Sequence, residues 1–359
     1  MNMTRYAVRP MLTLGAGPRR PTSTSVTTGS TRPTSQITTS QTLNQSGGGL
    51  GPGKAAVPIS RLEPIHTYRL AMTKNAIFCA TADHKGSLIM TKDSIPKAYA
   101  QTRHGQVHYR RLGSGSQRVL LIHWLPLSSR MYQHVMPILA ARGCDVLAVD
   151  LLGYGRSDPR PRVWSMADWA ASVAEVAESL GFREALVVGG HSGSCVAVEL
   201  AIGFPSLVSQ LVLDGCPVLT PELRATFKSM QQQSRPVPDT AGSHESLVFR
   251  TVRTTYEHYL PGFAVTPESI ELLWPAMIDY LETDFVSSAA ISAEYELEPR
   301  LARIHQPLTL LSADTDTLAG SFAQVCALRP DARQHKFKGH HPLHEPGRAL
   351  EYVQVISAN

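Results

Sequence analysis

No aspartate or glutamate occurs before Glu63, although Arg5, Arg9, Arg19, Arg20, Arg32, Lys54 and Arg61 all fall in that stretch. Beyond it the charges nearly balance, and the net charge of the 359-residue chain is only +5. No basic groove is therefore expected, and nucleic acid is excluded as a partner. The five cysteines, Cys79, Cys144, Cys195, Cys216 and Cys326, are scattered, odd in number and without C-x-x-C spacing. That excludes a disulfide frame and a zinc ribbon, and points to thiols in a reducing, intracellular compartment. No apolar run approaches the roughly 20 residues that span a bilayer. Gly153-x-Gly155 lacks the third glycine of a dinucleotide fingerprint.

Residues 1–62 are rich in Ser, Thr, Gly, Pro and Gln, and Ser46–Gly53 reads as a linker. Such a segment buries too little surface to offset its ordering entropy. An acid-poor, Ser/Thr-rich, Arg-containing start is a disordered tail or a transit peptide. The expected location is accordingly cytoplasmic or, with a transit peptide, mitochondrial. Residues 63–97 form a lead-in without a strong pattern. From Ala98 the pattern sharpens, and 43% hydrophobic residues supply a sizeable core.

Ala98–Thr102 and Gln106–Arg111 predict a hairpin turning at His104-Gly105. Val119–Ile122, Asp145–Val149, Ala185–Gly189, Gln210–Leu213, Leu308–Leu311 and Gln334–Phe337 are short apolar or apolar-rich strands. Segments of helical spacing separate most of them: Ser129–Arg142, the Ser165/Asp168 capping box onward, and Cys195–Ala201. Continuous apolar strands alternating with helices predict a mostly parallel sheet covered on both faces. Residues 217–304 break the rhythm. Thr220-Pro221-Glu222 and Thr266-Pro267-Glu268 each carry an N-cap, a first-position proline and an acid in the first turn. A helical cap inserted into a core of residues 98–216 and 305–359 is expected, with a kink at Pro275.

Gly190-His191-Ser192-Gly193-Ser194, between a strand and a helix, has the pattern of a nucleophile elbow centred on Ser192. With Ile122-His123 and Pro126, Val149–Asp158, Leu213-Asp214-Gly215, Ser312–Asp316 and Gly339-His340-His341 in order, the chain resembles the α/β-hydrolase superfamily, especially its capped members. The resemblance implies an eight-stranded α/β-hydrolase sheet and a Ser-His-Asp triad of Ser192, His340 and Asp316. It leaves His341 and His344 as rival bases and Asp314 and Asp214 as rival acids. Asp214 is read instead as a carboxylate satisfied by loop N–H groups. Gly193 and Leu125 are the implied oxyanion donors; Pro126 has no N–H to give. No metal or organic cofactor is implied.

Two positions depart from the family pattern. Trp124 stands where His-Gly-x-Pro has glycine, and Ser194 where the elbow ends in glycine. Serine rather than aspartate at the elbow argues against haloalkane dehalogenases and epoxide hydrolases. Trp124, Trp274, Met277, Phe249 and Tyr256 are candidate pocket residues. The expectation is a serine hydrolase acting on a small-molecule substrate, an apolar ester, thioester or lactone. The alternatives are C–C hydrolysis, lyase or cofactor-free oxygenase chemistry, or a non-catalytic receptor. Oligomeric state is not legible.

Overall fold

The computed structural model describes residues 81–82, 88–89, 95–161, 164–230, 237–259, 274–276, 278–279 and 291–358. The chain divides into two units, residues 1–63 and 64–359, and every described residue lies in the second. The tail, Thr266-Pro267-Glu268 and Met277 lie outside the described residues.

Two-residue strands, Thr81–Ala82 and Leu88–Ile89, pair with each other in a small separate sheet. The main sheet has eight strands: β1 (Lys97–Thr102), β2 (Gly105–Leu112), β3 (Gln117–Ile122), β4 (Cys144–Val149), β5 (Ala185–Gly190), β6 (Val208–Asp214), β7 (Leu308–Ala313) and β8 (Arg333–Phe337). Their spatial order is β8-β7-β6-β5-β3-β4-β2-β1. β1 and β2 pair antiparallel, as do β2 and β4, and the other five pairings are parallel. The direction of the chain past β3 therefore reverses at the centre of the sheet, where β3 sits between β4 and β5. In sheets of this type the crevice at the carboxyl strand ends, near such a reversal, is where ligands bind.

β4, β5 and β7 are buried along their whole length. Their side chains alternate between two apolar layers, as a two-residue period requires. Leu120, Ile122, Leu147, Val149 and Val187 face α2 (Met166–Ser179) and α3 (Ser192–Gly203). Val119, Leu121, Val146, Ala148 and Val188 face α1 (Val135–Ala141) and α8 (Ala349–Ile356). The capping box that starts α2 is present: Ser165 Oγ accepts from Asp168 N–H at 3.3 Å, and Asp168 Oδ2 accepts from Ser165 N–H at 2.8 Å. The helix expected over Ser129–Arg142 is instead two pieces, a 3-10 turn at Ser129–Tyr132 and then α1. Pro137 lacks the N–H that would tie it to the preceding turn, so the helix does not run through.

Between β6 and β7 the described residues form α4 (Pro221–Met230), α5 (Ser243–Tyr259), short helical pieces at 274–276 and 291–294, and α6 (Glu298–Leu301). Thr220 Oγ1 accepts from Leu223 N–H at 3.2 Å, the cap expected of Thr-Pro-Glu. Asp279, 3% exposed, accepts from Ser128 Oγ at 2.7 Å and so ties this inserted segment to the loop after β3. α7 (Phe322–Leu328) follows β7. Among the described residues, no helix is long and apolar enough to cross a membrane.

Candidate active site

The strained position of the strand-to-helix elbow is occupied by His191. It has φ 46° and ψ −120°, a conformation that costs a non-glycine residue about 1–2 kcal/mol. Its N–H donates to Asp214 O at 2.7 Å, and its carbonyl accepts from Ser194 N–H at 2.8 Å. Ser192 is the first residue of α3. The expectation of Ser192 at the elbow is thus corrected by one residue.

The reason is steric. An elbow needs very small residues two places before and after its centre, because strand and helix approach closely there. Two overlapping frames meet that need on paper. Gly190 and Ser194 flank Ser192, and Gly189 and Gly193 flank His191. The second frame has glycine at both ends. A Cβ at Gly189 would lie 2.8 Å from Ala197 Cβ, and one at Gly193 would lie 2.8 Å from Ile122 O. Ser194, fully buried, turns its hydroxyl inward to Gly189 O at 2.9 Å and Asp214 O at 3.2 Å.

His191 is held by Asp316. Nε2 lies 3.0 Å from Asp316 Oδ2, and Asp316 Oδ1 accepts from Leu318 N–H at 2.7 Å. A carboxylate only accepts, so in the neutral ring the proton sits on Nε2 and Nδ1 keeps its lone pair. Burial pulls the His191 pKa down, but the adjacent Asp316 charge, its hydrogen bond and Asp214 behind it raise it above the ordinary histidine value. Burial alone would raise Asp316; the His191 charge, the hydrogen bond and the Leu318 N–H hold it well below the carboxylate range. Gly215, at φ 62°, leaves the room this pair needs, since a Cβ there would lie 2.8 Å from His191 Nε2 and 2.9 Å from Asp316 Oδ2.

The second acid makes its own pair. His341 is fully buried, with Nε2 2.9 Å from Asp214 Oδ2 and Nδ1 accepting from Leu343 N–H at 3.3 Å. Tyr352 OH donates to Asp214 Oδ2 at 2.9 Å. Asp214 is thus satisfied by an imidazole and a phenol, not by the loop N–H groups expected. His340, the expected base, lies with Nε2 3.8 Å from Glu345 Oε1. Among the described residues no hydrogen bond joins Ser192 to His340 or His340 to Asp316. The acid expected to orient His340 orients His191 instead. Asp314 instead accepts from Gly339 N–H, in the loop after β8, at 3.1 Å, with Lys336 Nζ 3.1 Å away.

Trp124 is 3% exposed and lies flat on His191, ring centroids 4.0 Å apart and planes 6° from parallel. Its indole meets His341 and His344 edge-on at 5.0 and 5.2 Å. Stacks of this kind contribute about 0.5–1.5 kcal/mol beyond area. His344 is buried, and burial, reinforced by His341 and His191, lowers its pKa to about 3. Tyr256, from α5, stands edge-on to His344 at 5.9 Å, its phenol pushed up to about 12 by burial and Asp279. Phe249 packs beside Val248, Val252 and Ala276. Trp274 is 56% exposed. It lies two residues, about 200° of helix, from the buried Ala276, and so on the opposite face.

With the elbow at His191, the first N–H groups of α3 are those of Ser192 and Gly193, and a helix start leaves such groups without intrahelical partners. Gly193 serves chiefly as the close-packing glycine. Leu125 is half-buried in the loop after β3 and joined to Pro126 by a cis peptide bond. His123 pins that loop. Its Nδ1 bonds Trp124 O at 2.9 Å, and its Nε2 accepts from Leu151 N–H at 3.0 Å.

Residues 117–346 match the family model of the alpha/beta hydrolase fold. A 2-hydroxy-6-oxononadienedioate/2-hydroxy-6-oxononatrienedioate hydrolase of Paraburkholderia phymatum is 35% identical over 115 residues, 31% of this chain and 40% of that one. An uncharacterized Mycobacterium tuberculosis protein is 30% identical over 147 residues, 41% of this chain and 43% of that one. The chain thus spans about two fifths of the length of these curated relatives. A thermophilic esterase from Thermogutta terrifontis superposes with TM-score 0.61 at 18% identity, over 73% of this chain and 100% of that chain. The enol-lactonase of Burkholderia xenovorans gives TM-score 0.58 at 18% identity, over 72% and 98%.

Proposed function

The chain belongs to the alpha/beta hydrolase fold family, and from that premise we propose that it hydrolyses a small apolar ester, thioester or lactone with His191 as the reacting side chain. The observation that carries this reading is the His191–Asp316 pair, seated at the elbow with Nδ1 left over for chemistry. The substrate class follows the esterase and the enol-lactonase that share the fold. Helices of the 217–304 insertion, acting as a cap, would choose among such substrates.

In this scheme neutral Nδ1 takes a proton from a water molecule as that water adds to the carbonyl carbon. Asp316 stabilises the imidazolium that forms. Ser192 N–H at the start of α3, with Leu125 N–H opposite, holds the oxyanion. Collapse breaks the bond to the leaving oxygen or sulfur, which takes the proton back from Nδ1. Ester and water are consumed, acid and alcohol are formed, and no acyl-enzyme intervenes. The Ser192 hydroxyl has no part in it.

Paired variants test the scheme. His191→Ala lowers kcat/KM for a 4-nitrophenyl ester about a thousandfold, whereas Ser192→Ala leaves it within about threefold. A collapse in Ser192→Ala, with fluorophosphonate labelling of that residue, returns the site to an acyl-serine mechanism and sinks the histidine reading. The indole over His191 favours a second reading, a ligand receptor on the same fold. Negligible turnover with every ester, together with tight ligand binding, selects it.

A further inference from the structure

Three features around Trp124 fit together. Its backbone is pinned, because the carbonyl accepts from Leu127 N–H at 2.8 Å and from His123 Nδ1 at 2.9 Å, and its N–H points to Met131 Sδ at 3.4 Å. Its indole edge lies where the side chain of residue 190 would be, since a Cβ at Gly190 would fall 1.6 Å from Trp124 Nε1 and 2.1 Å from its Cδ1. That ring then lies parallel to the imidazole of His191, with the edges of His341 and His344 closing the slot. The space beside the elbow is therefore flat, walled by π-systems and filled by a side chain of the chain itself.

We infer that Trp124 is a gate and the specificity-determining residue of this site, and that the slot it occupies selects aryl esters. The inference rests on the reading of His191 as the reacting group. A substrate reaches the imidazole by replacing the indole, and the replacement most closely matched to the slot is another flat ring. Because the backbone is pinned, the gate turns about the side-chain bonds of Trp124 while the loop stays put. Gly190 is the socket: it gives the closed indole its seat, and any larger residue there evicts it. Alkyl esters lose the stack without regaining an equivalent contact and are the poorer substrates.

The experiment uses the full chain, diethylpyrocarbonate as a small imidazole probe, and phenyl acetate against ethyl acetate as substrates. Peptide mapping gives the rate at which His191 is modified, with the exposed His104 as an internal reference. Trp124→Gly raises the His191 rate about tenfold relative to His104, and Gly190→Ala raises it in the same direction. Trp124→Phe, which keeps a ring, stays near the parent. The phenyl-over-ethyl preference in kcat/KM falls about tenfold in Trp124→Gly. Trp124→Leu supplies the same reading should the glycine variant lose its near-ultraviolet signal. Equal His191 modification in the parent, in Trp124→Gly and in Trp124→Leu overturns the gate, as does an unchanged substrate preference. Faster modification alongside undiminished hydrolysis in His191→Ala upholds the gate and overturns the histidine chemistry.

Discussion

Two histidine–aspartate pairs sit at neighbouring strand ends, and they differ in what is left over. At β6, His341 has both ring nitrogens engaged, is fully buried, and shares its acid with Tyr352. At β7 and the elbow, His191 uses one nitrogen and its side chain is 12% exposed. With both nitrogens engaged and no exposed atom, the His341 ring holds β6 to the loop after β8. A ring with one spare nitrogen, poised by a carboxylate, has the makings of a general base. The same two residue types thus serve cohesion in one place and, under the proposed function, supply the base in the other.

The contrast breaks most readily by exchanging the loss. His191→Ala leaves the melting temperature within a few degrees while activity falls about a thousandfold. His341→Ala strands Asp214 in the interior and costs about 3–5 kcal/mol, read as the denaturant midpoint. If His341→Ala unfolds at the parent midpoint, the cohesive role is wrong. Asp316→Asn comes next: kcat drops about a hundredfold. The acid limb of the pH–rate profile also moves. In the parent, His191 must be neutral to act, and its pKa is raised, so activity falls away as pH drops below a point above the ordinary histidine value of about 6.5. Removing the charge at residue 316 shifts that limb to lower pH. An unmoved limb assigns it to another group.

Gly215→Ala is the subtler probe. The pair beside it must separate and the backbone stay at φ 62°, so activity falls more than tenfold for a loss of about 1–2 kcal/mol. The smallest effect is an acid one shared with Asp150. His108 Nδ1 at 2.8 Å and Ser129 N–H at 2.7 Å outweigh the burial that would raise Asp150, and hold it well below the usual range. Asp316 is depressed likewise. A depressed carboxylate adds stability above its unfolded value of about 3.9 and loses it as pH falls through the folded one. Calorimetry of Asp150→Asn against the parent therefore shows a stability gap that is full near pH 6 and narrows below about pH 4.

How much of this the chain announces varies with how local the signal is. β3, β4, β5 and β7 are near-continuous apolar runs, and nothing but a doubly covered sheet accounts for them. Ser165 and Asp168 lie three apart and cap one another without help from elsewhere. The elbow was ambiguous because Gly189, Gly190, Gly193 and Ser194 satisfy two frames one residue apart. Only the contacts of Gly189 with Ala197 and of Gly193 with Ile122 decide between them. The legible clue was glycine at both 189 and 193. Which acid meets which imidazole depends on residues 125 to 127 apart in sequence, beyond any local pattern.

The carboxylate at residue 279 has a further consequence. Docked, it is taken out of water, accepts from the Ser128 hydroxyl at 2.7 Å and has the Arg130 guanidinium 3.6 Å away. Undocked, it recovers its full hydration shell. Lifting the insertion off the sheet is therefore repaid in part by solvent, and the fastening is closer to a latch than to a weld. Amide exchange in α5 should accordingly respond to changes at Ser128 before anything in the sheet does.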